Sequence, residues 1–129
     1  AGTPDTFTSL TLTNAHFKST QTNKPTVSAP AACGVSPSAA VTDDSTDSAG
    51  SITITTGSGT VSGSCATTLT FDKPYGAAPK SVQLTDSFGN TVGSYVGGVT
   101  DTTFTANLKG YGSALPAGTS FKIYYWVVE

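Results

Sequence analysis

Large apolar residues alternate with threonine and other polar residues along much of this chain. Apolar residues occupy alternate positions in the run ITIT at 52–55 and at 69 and 71 of the run TTLTF at 67–71. Successive side chains of a β-strand point to opposite faces, so this period of two predicts half-buried strands whose threonines face outward. A stretch rich in glycine and serine separates the two runs, and together they are predicted to form a Thr-rich hairpin.

The same period continues through the second half of the chain, and no segment of a dozen residues has the apolar spacing and caps of a helix. Turn residues, mainly glycine, proline and asparagine, separate the apolar runs. The chain is therefore predicted to be all-β. Strands are expected at residues 51–56, 66–71, 81–85, 91–96, 104–108 and 120–128. Their even spacing favours an antiparallel β-sandwich or a small barrel.

The last strand, FKIYYWVV at 121–128, differs from the others because both of its faces carry large apolar residues. One face contains Phe121 and Tyr125, and the other contains Tyr124 and Trp126. A strand with two apolar faces is expected to be central in its sheet, or to pack one face on another chain.

The N-terminal part has a weaker pattern. Residues 7–13 alternate as a further strand, whereas residues 19–50 contain three prolines and few large apolar side chains. Short strands are expected only around Val27 and around residues 40–41. A segment this long with little regular structure is uncommon inside a compact monomer. We therefore expect it to extend along a surface, such as that of a neighbouring subunit.

Composition favours oligomerisation and excludes some classes of partner. Of the 129 residues, 36% are hydrophobic and 11% are charged, against about 45–50% and about 25% in typical globular chains. So few apolar residues predict a thin core, which small domains often supplement by sharing a core between chains. The net charge of -2 and the absence of arginine exclude the basic surface that binds nucleic acid. No apolar run approaches the about 20 residues that cross a bilayer, so no membrane insertion is expected.

The two cysteines, Cys33 and Cys65, lie in a turn and at the start of a strand. No CxxC pair or second histidine accompanies them, which excludes a zinc site. A disulfide between them would close a loop of about 30 residues and stabilise the fold by roughly 3–4 kcal/mol. The alternative is a pair of free thiols in a protein that is assembled in a reducing compartment.

The order of several motifs resembles that of the C-terminal domains of bacteriophage tail-fibre and tailspike proteins. SLTLTNAHFKS is followed by a Cys-Gly-x-Ser-Pro turn at 33–37, by DSAGSITITTG, by TLTFDKPYGAAPKSVQLTD and by the aromatic ending GTSFKIYYWVVE. The matching positions are Asp47, Ala49, Gly50, Ile52, Ile54, Phe71, Tyr75, Pro79, Lys80, Phe121 and Val127. The resemblance covers nearly the whole chain. Its motifs consist of turn and core residues, so they are more specific for an architecture than for a ligand.

The resemblance implies an intertwined homotrimer at the distal tip of a fibre or spike. Residues 1–20 would be the end of a trimeric β-shaft, residues 21–49 an extended wrapping segment, and residues 50–129 a β-sandwich head. The expected partners are further copies of the chain, the upstream shaft and a host surface glycan or protein. The expected location is the virion, assembled in the host cytoplasm and then exposed outside the cell. The candidates for the trimer interface are Leu10, Leu12, Phe17 and Tyr125.

The start of the chain agrees with a piece of a longer protein. It lacks an initiator methionine and also lacks the charged and apolar regions of a signal peptide. We expect a mature product or a fragment, and we favour the fragment.

Catalysis and metal binding have little support in the sequence. His16 is the single histidine, and no G-x-S-x-G stretch presents a nucleophile. The carboxylates of a glycosidase would have to be paired on a scaffold, but nearly all acidic residues here fall in predicted loops. Asp43, Asp44 and Asp47 are a weak candidate for Ca²⁺, because they lack the spacing of an EF-hand and because aspartate is common in turns. We expect neither enzymatic activity nor a cofactor.

Aromatic residues are the candidates for a ligand or receptor site. Tyr111 lies between glycines in the loop KGYGS, where binding residues are common. Tyr124 and Trp126 are further candidates for stacking on a sugar, although packing in a core or an interface is their more ordinary use. The T-x-T runs have no fixed period, which argues against an ice-binding surface. The expected function is a non-enzymatic structural and adhesion module; the alternative is a monomeric carbohydrate-binding β-sandwich of a secreted protein.

Overall fold

The computed structural model describes Thr13 and residues 18–129. This part of the chain forms eight strands, and no helix in it is long and apolar enough to span a membrane. The strands are β1 (Thr26–Val27), β2 (Ser38–Val41), β3 (Ala49–Thr55), β4 (Ser64–Thr70), β5 (Ser81–Thr85), β6 (Val92–Val99), β7 (Thr103–Gly110) and β8 (Ser120–Val128).

The strands form two four-stranded sheets. The order is β1-β4-β7-β6 in the first sheet and β2-β3-β8-β5 in the second, and every neighbouring pair is antiparallel. The inner faces pack on each other: the ring centroids of Phe104 in the first sheet and Tyr125 in the second lie 5.5 Å apart. The prediction of an all-β fold with antiparallel sheets is confirmed.

The strand predictions agree with the structure where a clear alternation exists. All six strands expected from residue 51 onward are present with ends shifted by at most a few residues, and the two weak strands near Val27 and residues 40–41 are present as β1 and β2. The strand expected at residues 7–13 lies outside the described residues. So do three of the trimer-interface candidates, Leu10, Leu12 and Phe17.

The predicted Thr-rich hairpin is wrong, although the orientation of its side chains is right. Ile52 and Ile54 are fully buried while Thr53 and Thr55 face outward. However, β3 belongs to the second sheet and β4 to the first, so the two strands do not pair. The connection between them crosses from one sheet to the other. There, the N–H of Gly57 donates to the carbonyl of Cys33 over 2.7 Å, and Ser58 and Val35 exchange backbone hydrogen bonds.

Residues 21–49 are built into the same two sheets. They provide β1 at the edge of the first sheet and β2 at the edge of the second, through backbone pairing with β4 and β3. The boundary expected between residues 49 and 50 falls inside β3. This segment therefore completes two sheet edges of its own chain, and its contact with a neighbouring subunit stays a prediction.

The core is closed by side chains of this one chain. Phe104, Leu69 and Leu108 of the first sheet meet Ile52 and Ile123 of the second, and all five are fully buried. A lean composition is sufficient because both inner faces supply apolar residues at every second position.

Tyr125, a predicted trimer-interface residue, is instead part of this core. Its side chain is buried, and its hydroxyl donates to the carbonyl of Thr46 over 2.6 Å. Burial raises the pKa of this phenol well above its usual value. Tyr125 is on the inner face because the alternation of β8 places it with Phe121, Ile123 and Val127.

Candidate functional site

The outer face of the second sheet carries a row of exposed apolar side chains. Tyr124, Trp126 and Val128 occupy alternate positions of the central strand β8, and they are 50%, 57% and 43% exposed. We call these three residues the outer apolar row. Large apolar side chains that stay exposed side by side mark interaction surfaces more often than isolated ones do.

The neighbours of the outer apolar row are small or polar. Across the sheet, Trp126 lies between Ala49 of β3 and Gln83 of β5. Tyr124 lies in the same way between Ser51 and Thr85. The two rings are therefore the large aromatic groups of a face on which their neighbours across the sheet are small or polar.

Two cavities flank the outer apolar row. One of about 320 Å³ lies beside Trp126 and Val128, with Ser48 and Ala49 in its wall. The other, of about 520 Å³, lies beside Tyr124 and is lined by Thr42, Asp44, Lys18 and Lys122. Ser19 lines both cavities, so the N-terminal end of the described chain enters the domain next to this face.

Lys122 lies beside Tyr124 at the edge of the row. Its Nζ lies 5.3 Å from the centroid of the Tyr124 ring, within the range of a cation–π interaction. This contact occupies part of one ring face and leaves Trp126 open.

Tyr111 lies on the opposite side of the molecule from Trp126 and Tyr124. Its ring covers Gly93, where a Cβ atom would lie only 2.8 Å from the ring carbon Cε2. Gly93 pairs with the outward-facing Lys109, so the covered position belongs to the outer face of the first sheet. The predicted set of three ligand candidates is therefore divided between two surfaces that cannot contact one small ligand together.

Tyr95 is a further exposed aromatic residue, and it is not among the ligand candidates predicted from the sequence. It lies on β6, two residues beyond Gly93, and is 46% exposed. The alternation of β6 contains the signal that would have found it, because Tyr95 falls on the same face as Gly93 and opposite to Val96.

The three aspartates of the predicted calcium candidate have different surroundings and different partners. Asp43 forms an ion pair with Lys24, with 2.6 Å between Oδ1 and Nζ, and this hydrogen bond lowers the pKa of the Asp43 carboxyl. Asp44 is exposed, whereas Asp47 is buried. In the described part of the chain, no three acidic, histidine or cysteine side chains converge on a point where an ion would fit.

Asp47 instead ties three segments together. Its carboxylate accepts hydrogen bonds from Gln21 Nε2 at 2.9 Å, from the N–H of Asp72 at 2.8 Å and from the N–H of Lys73 at 3.0 Å. The side-chain oxygen of Gln21 accepts in turn from the N–H of Asp47. This carboxylate is a structural staple between the entry of the chain, the turn before β3 and the turn after β4.

Replacing Asp47 by alanine is expected to lower the free energy of unfolding by about 2 kcal/mol, because three donors lose their acceptor in a partly buried place. Urea denaturation of the variant measures this. The matched control is Asp44→Ala, which removes an exposed carboxylate three residues away and is expected to change stability by less than about 0.5 kcal/mol. Equal losses from the two substitutions would contradict the role assigned to Asp47.

The two cysteines are bonded to each other. The Cα atoms of Cys33 and Cys65 lie 5.0 Å apart, and 32 positions of sequence separate them. The disulfide joins the loop before β2 to the second residue of β4, and both side chains are buried. Of the two alternatives that the sequence leaves open, the structure shows the disulfide.

The other aspartate with several partners also has a local role. Asp86, after β5, accepts hydrogen bonds from the N–H and the hydroxyl of Ser94 on β6. It thereby fixes the turn that connects the two sheets. His16 lies outside the described residues, so the expected absence of catalysis stays a prediction.

No protein-family model, curated protein or solved structure matches this chain.

Proposed function

We propose that this chain is a non-enzymatic structural and adhesion module, the distal C-terminal domain of a phage tail fibre or spike. In this proposal it acts as a homotrimer, continues an upstream shaft and contacts the host cell surface from the tip of the virion. The order of motifs along the sequence motivates the assignment to a fibre tip. The observation that supports an assembled state is the outer apolar row.

The row favours contact with protein for three reasons. It lies on a central strand, so covering it would bury a broad, flat area rather than a rim. Its members are two aromatic residues and a valine, and aromatic residues are enriched at the centres of protein interfaces. Its neighbours across the sheet are uncharged (Ala49, Ser51, Gln83 and Thr85), so a second copy on the row itself would desolvate few charged groups. The charged side chains of Lys122, Lys18, Asp44 and Glu129 lie at the sides of the row.

A tip also requires a rigid frame, and this sandwich has one. The disulfide, the Asp47 staple and a closed core hold the turns and outer faces in place. The described carboxylates that have hydrogen-bonding partners are used for structure, which supports binding rather than chemistry as the role of the module.

Light scattering of the whole 129-residue chain tests the proposal. At micromolar concentration we expect the mass of a trimer. The double variant Tyr124→Ser/Trp126→Ser is expected to dissociate, because it removes two exposed rings and leaves the core intact. The control is Tyr95→Ser, which removes an exposed tyrosine from the opposite face and is expected to leave the trimer unchanged.

Two outcomes would contradict this proposal separately. A wild-type monomer at micromolar concentration would remove the trimer. A double variant that stays trimeric would show that the outer apolar row is not the contact between copies.

A monomeric carbohydrate-binding module is the second candidate. It is favoured by the core of this one chain, to which both sheets contribute fully buried apolar residues. Glycan binding by an isolated monomer, lost on substitution of Tyr111 or Trp126, would support this candidate over the first.

A further inference from the structure

The outer face of the first sheet carries a second aromatic surface, which is separate from the outer apolar row. It consists of Tyr111 and Tyr95 together with Gly93 and Asn107, and we call it the tyrosine patch. Tyr111 is 59% exposed and Tyr95 is 46% exposed. The patch lies on the edge strand β6 and its neighbour β7.

The position of Tyr111 is determined by the chain around it. Its backbone N–H donates to the carbonyl of Thr91 over 2.9 Å, which anchors the residue beside the start of β6. Its ring then lies on Gly93, a contact that a Cβ atom at that position would prevent. The ring covers Gly93 so well that this outward-facing glycine is buried. The end of the Tyr111 side chain, with its hydroxyl, Cε2 and Cζ, is therefore held over Gly93 rather than free in its loop.

Tyr95 continues the surface that Tyr111 begins. Residues i and i+2 of a strand lie on the same face about 6–7 Å apart, so the ring over Gly93 and the side chain of Tyr95 are neighbours. Beyond Tyr95, the place of a side chain at Gly97 is taken by Asn107 and Thr105, because a Cβ atom there would lie 2.8 Å from the Asn107 amide nitrogen and 3.1 Å from the Thr105 Cβ. The two tyrosines therefore border these polar side chains along the edge of the sheet.

Polar groups accompany the rings. Asn107 lies directly across from Tyr95, and its amide nitrogen donates a long bond of 3.4 Å to the Tyr95 carbonyl. The amide oxygen of Asn107 is an acceptor on the same face, and the Tyr111 hydroxyl lies over Gly93. Thr105, two residues before Asn107, lies on the same face of β7 and adds a hydroxyl group.

Charge is scarce on this face. Among the outward-facing positions of β4, β6 and β7, Lys109 is the one charged residue; the others are Ser64, Ala66, Thr68, Thr70, Gly93, Tyr95, Thr103, Thr105 and Asn107. Such a surface offers a nucleic acid or a strongly charged peptide little attraction.

We propose that the tyrosine patch binds a neutral glycan chain, with pyranose rings stacked on Tyr111 and Tyr95 and sugar hydroxyls bonded by Asn107 and Thr105. A pyranose has an apolar face and hydroxyl groups around its edge, so it fits a site with exposed aromatic side chains and uncharged donors and acceptors. This inference rests on the proposed adhesion function and names the ligand class for it. It assigns the ligand to the face opposite the contact between copies, so both surfaces can be occupied together.

The single tryptophan makes the location of binding measurable. Trp126 is the only tryptophan in the chain and belongs to the outer apolar row. Its fluorescence responds to a ligand on the outer face of the second sheet. A ligand on the tyrosine patch leaves the emission of Trp126 unchanged.

Titration calorimetry of the whole chain with neutral hexasaccharides (cellohexaose, maltohexaose, mannohexaose and chitohexaose) tests the proposal, with affinity expressed per protomer. We expect at least one of them to bind. Tyr111→Ala is expected to weaken binding about tenfold, the loss of one aromatic stacking contact. Gly93→Ala is expected to weaken it to a similar extent, because the added methyl group displaces the Tyr111 ring while the tyrosine remains.

Thr53→Ala, on the outer face of the second sheet, is the control and is expected to bind as the wild type does. Thermal unfolding of each variant confirms that it is folded; if Gly93→Ala does not fold, Tyr111→Ala carries the test. Three results would each overturn the proposal: no binding to any of the four sugars, binding that survives Tyr111→Ala, or binding that shifts the emission of Trp126. Preference for a hyaluronan hexasaccharide over the four sugars would overturn the neutral class.

The outcome is independent of the oligomeric state. A monomer that binds through Tyr111 would leave this inference standing and remove the trimer from the proposed function. A trimer that binds none of the sugars would overturn this inference and leave the trimer of the proposed function standing.

Discussion

Replacing Ile54 by aspartate is expected to prevent the domain from folding. Ile54 is fully buried in β3, between Ala39 of β2 and Phe121 of β8. The substitution removes a large apolar side chain from the core, which alone costs roughly 2–5 kcal/mol. It also buries a carboxylate without a partner, or forces that group to take up a proton, at a cost of several more kcal/mol (about 2–7 for a polar group). The total approaches the whole free energy of unfolding of an ordinary domain, about 5–15 kcal/mol.

Circular dichroism and amide-proton dispersion in NMR spectra of the Ile54→Asp variant measure this. The matched control is Thr53→Ala, one residue away on the outer face, which is expected to change stability by less than about 0.5 kcal/mol. A folded Ile54→Asp protein would show that the inner face of β3 is not part of the core. Under the proposed adhesion function, loss of host-cell binding by a folded Thr53→Ala variant would show that the threonines of β3 form a binding surface and do more than build the sheet.

The orientation of side chains along each strand could be predicted from the sequence because it depends only on neighbours one and two residues away. In β8 the alternation separates Phe121 and Tyr125 from Tyr124 and Trp126, and the structure places them on opposite faces. The same local rule finds the short strands β1 and β2 in a weakly patterned segment. It needs no knowledge of which strand lies next to which.

The sheet to which β3 and β4 each belong could not be predicted, because alternation does not say which strands pair. The two strands are consecutive in sequence, and both place apolar residues inward. These facts suit a hairpin and suit equally two strands that face each other across the core. The connection at residues 56–63 decides between these two arrangements, because it pairs with the loop around Cys33 and crosses to the other sheet.

The candidate sites depended on contacts between residues far apart in sequence. Tyr111 and Trp126 have the same chemistry, but the side chain of Tyr111 lies on Gly93 in the other sheet. Asp47 is close in sequence to Asp43 and Asp44, but its partners are Gln21, Asp72 and Lys73. Neither set of contacts leaves a local pattern in the sequence, so the roles of these residues can be distinguished only in the folded structure.

Removing the disulfide is expected to lower the free energy of unfolding by about 3–4 kcal/mol. The bond closes a loop with a sequence separation of 32 positions, and in the chain-entropy model a loop of this length restricts the unfolded chain by about that amount. Urea denaturation of Cys33→Ala/Cys65→Ala measures the loss. The wild-type protein in excess reductant is the matched comparison and should unfold at nearly the same urea concentration.

Removing the disulfide is also expected to destabilise the loop around Cys33 locally. Ala32 and Ser36, on either side of it, have φ values of 59° and 54°. This conformation is unfavourable for residues with a side chain, by about 1–2 kcal/mol each. It persists only where the surroundings hold the backbone, and the bond to β4 is one such restraint. Without the bond, amide hydrogen exchange is expected to rise first in residues 31–37 and in β2, before global unfolding.

A host cytoplasm would keep the two thiols reduced. A tip that is assembled there would therefore have to fold without the bond and gain its full stability after release, when the thiols are oxidised. The double cysteine variant should accordingly still fold and assemble at low temperature. If the free energy of unfolding of the variant stays within about 1 kcal/mol of that of the oxidised protein, the entropic role of the bond is contradicted. If amide hydrogen exchange rises uniformly along the chain, the bond does not restrain the loop. A variant that cannot fold at all would contradict assembly of the tip in a reducing compartment.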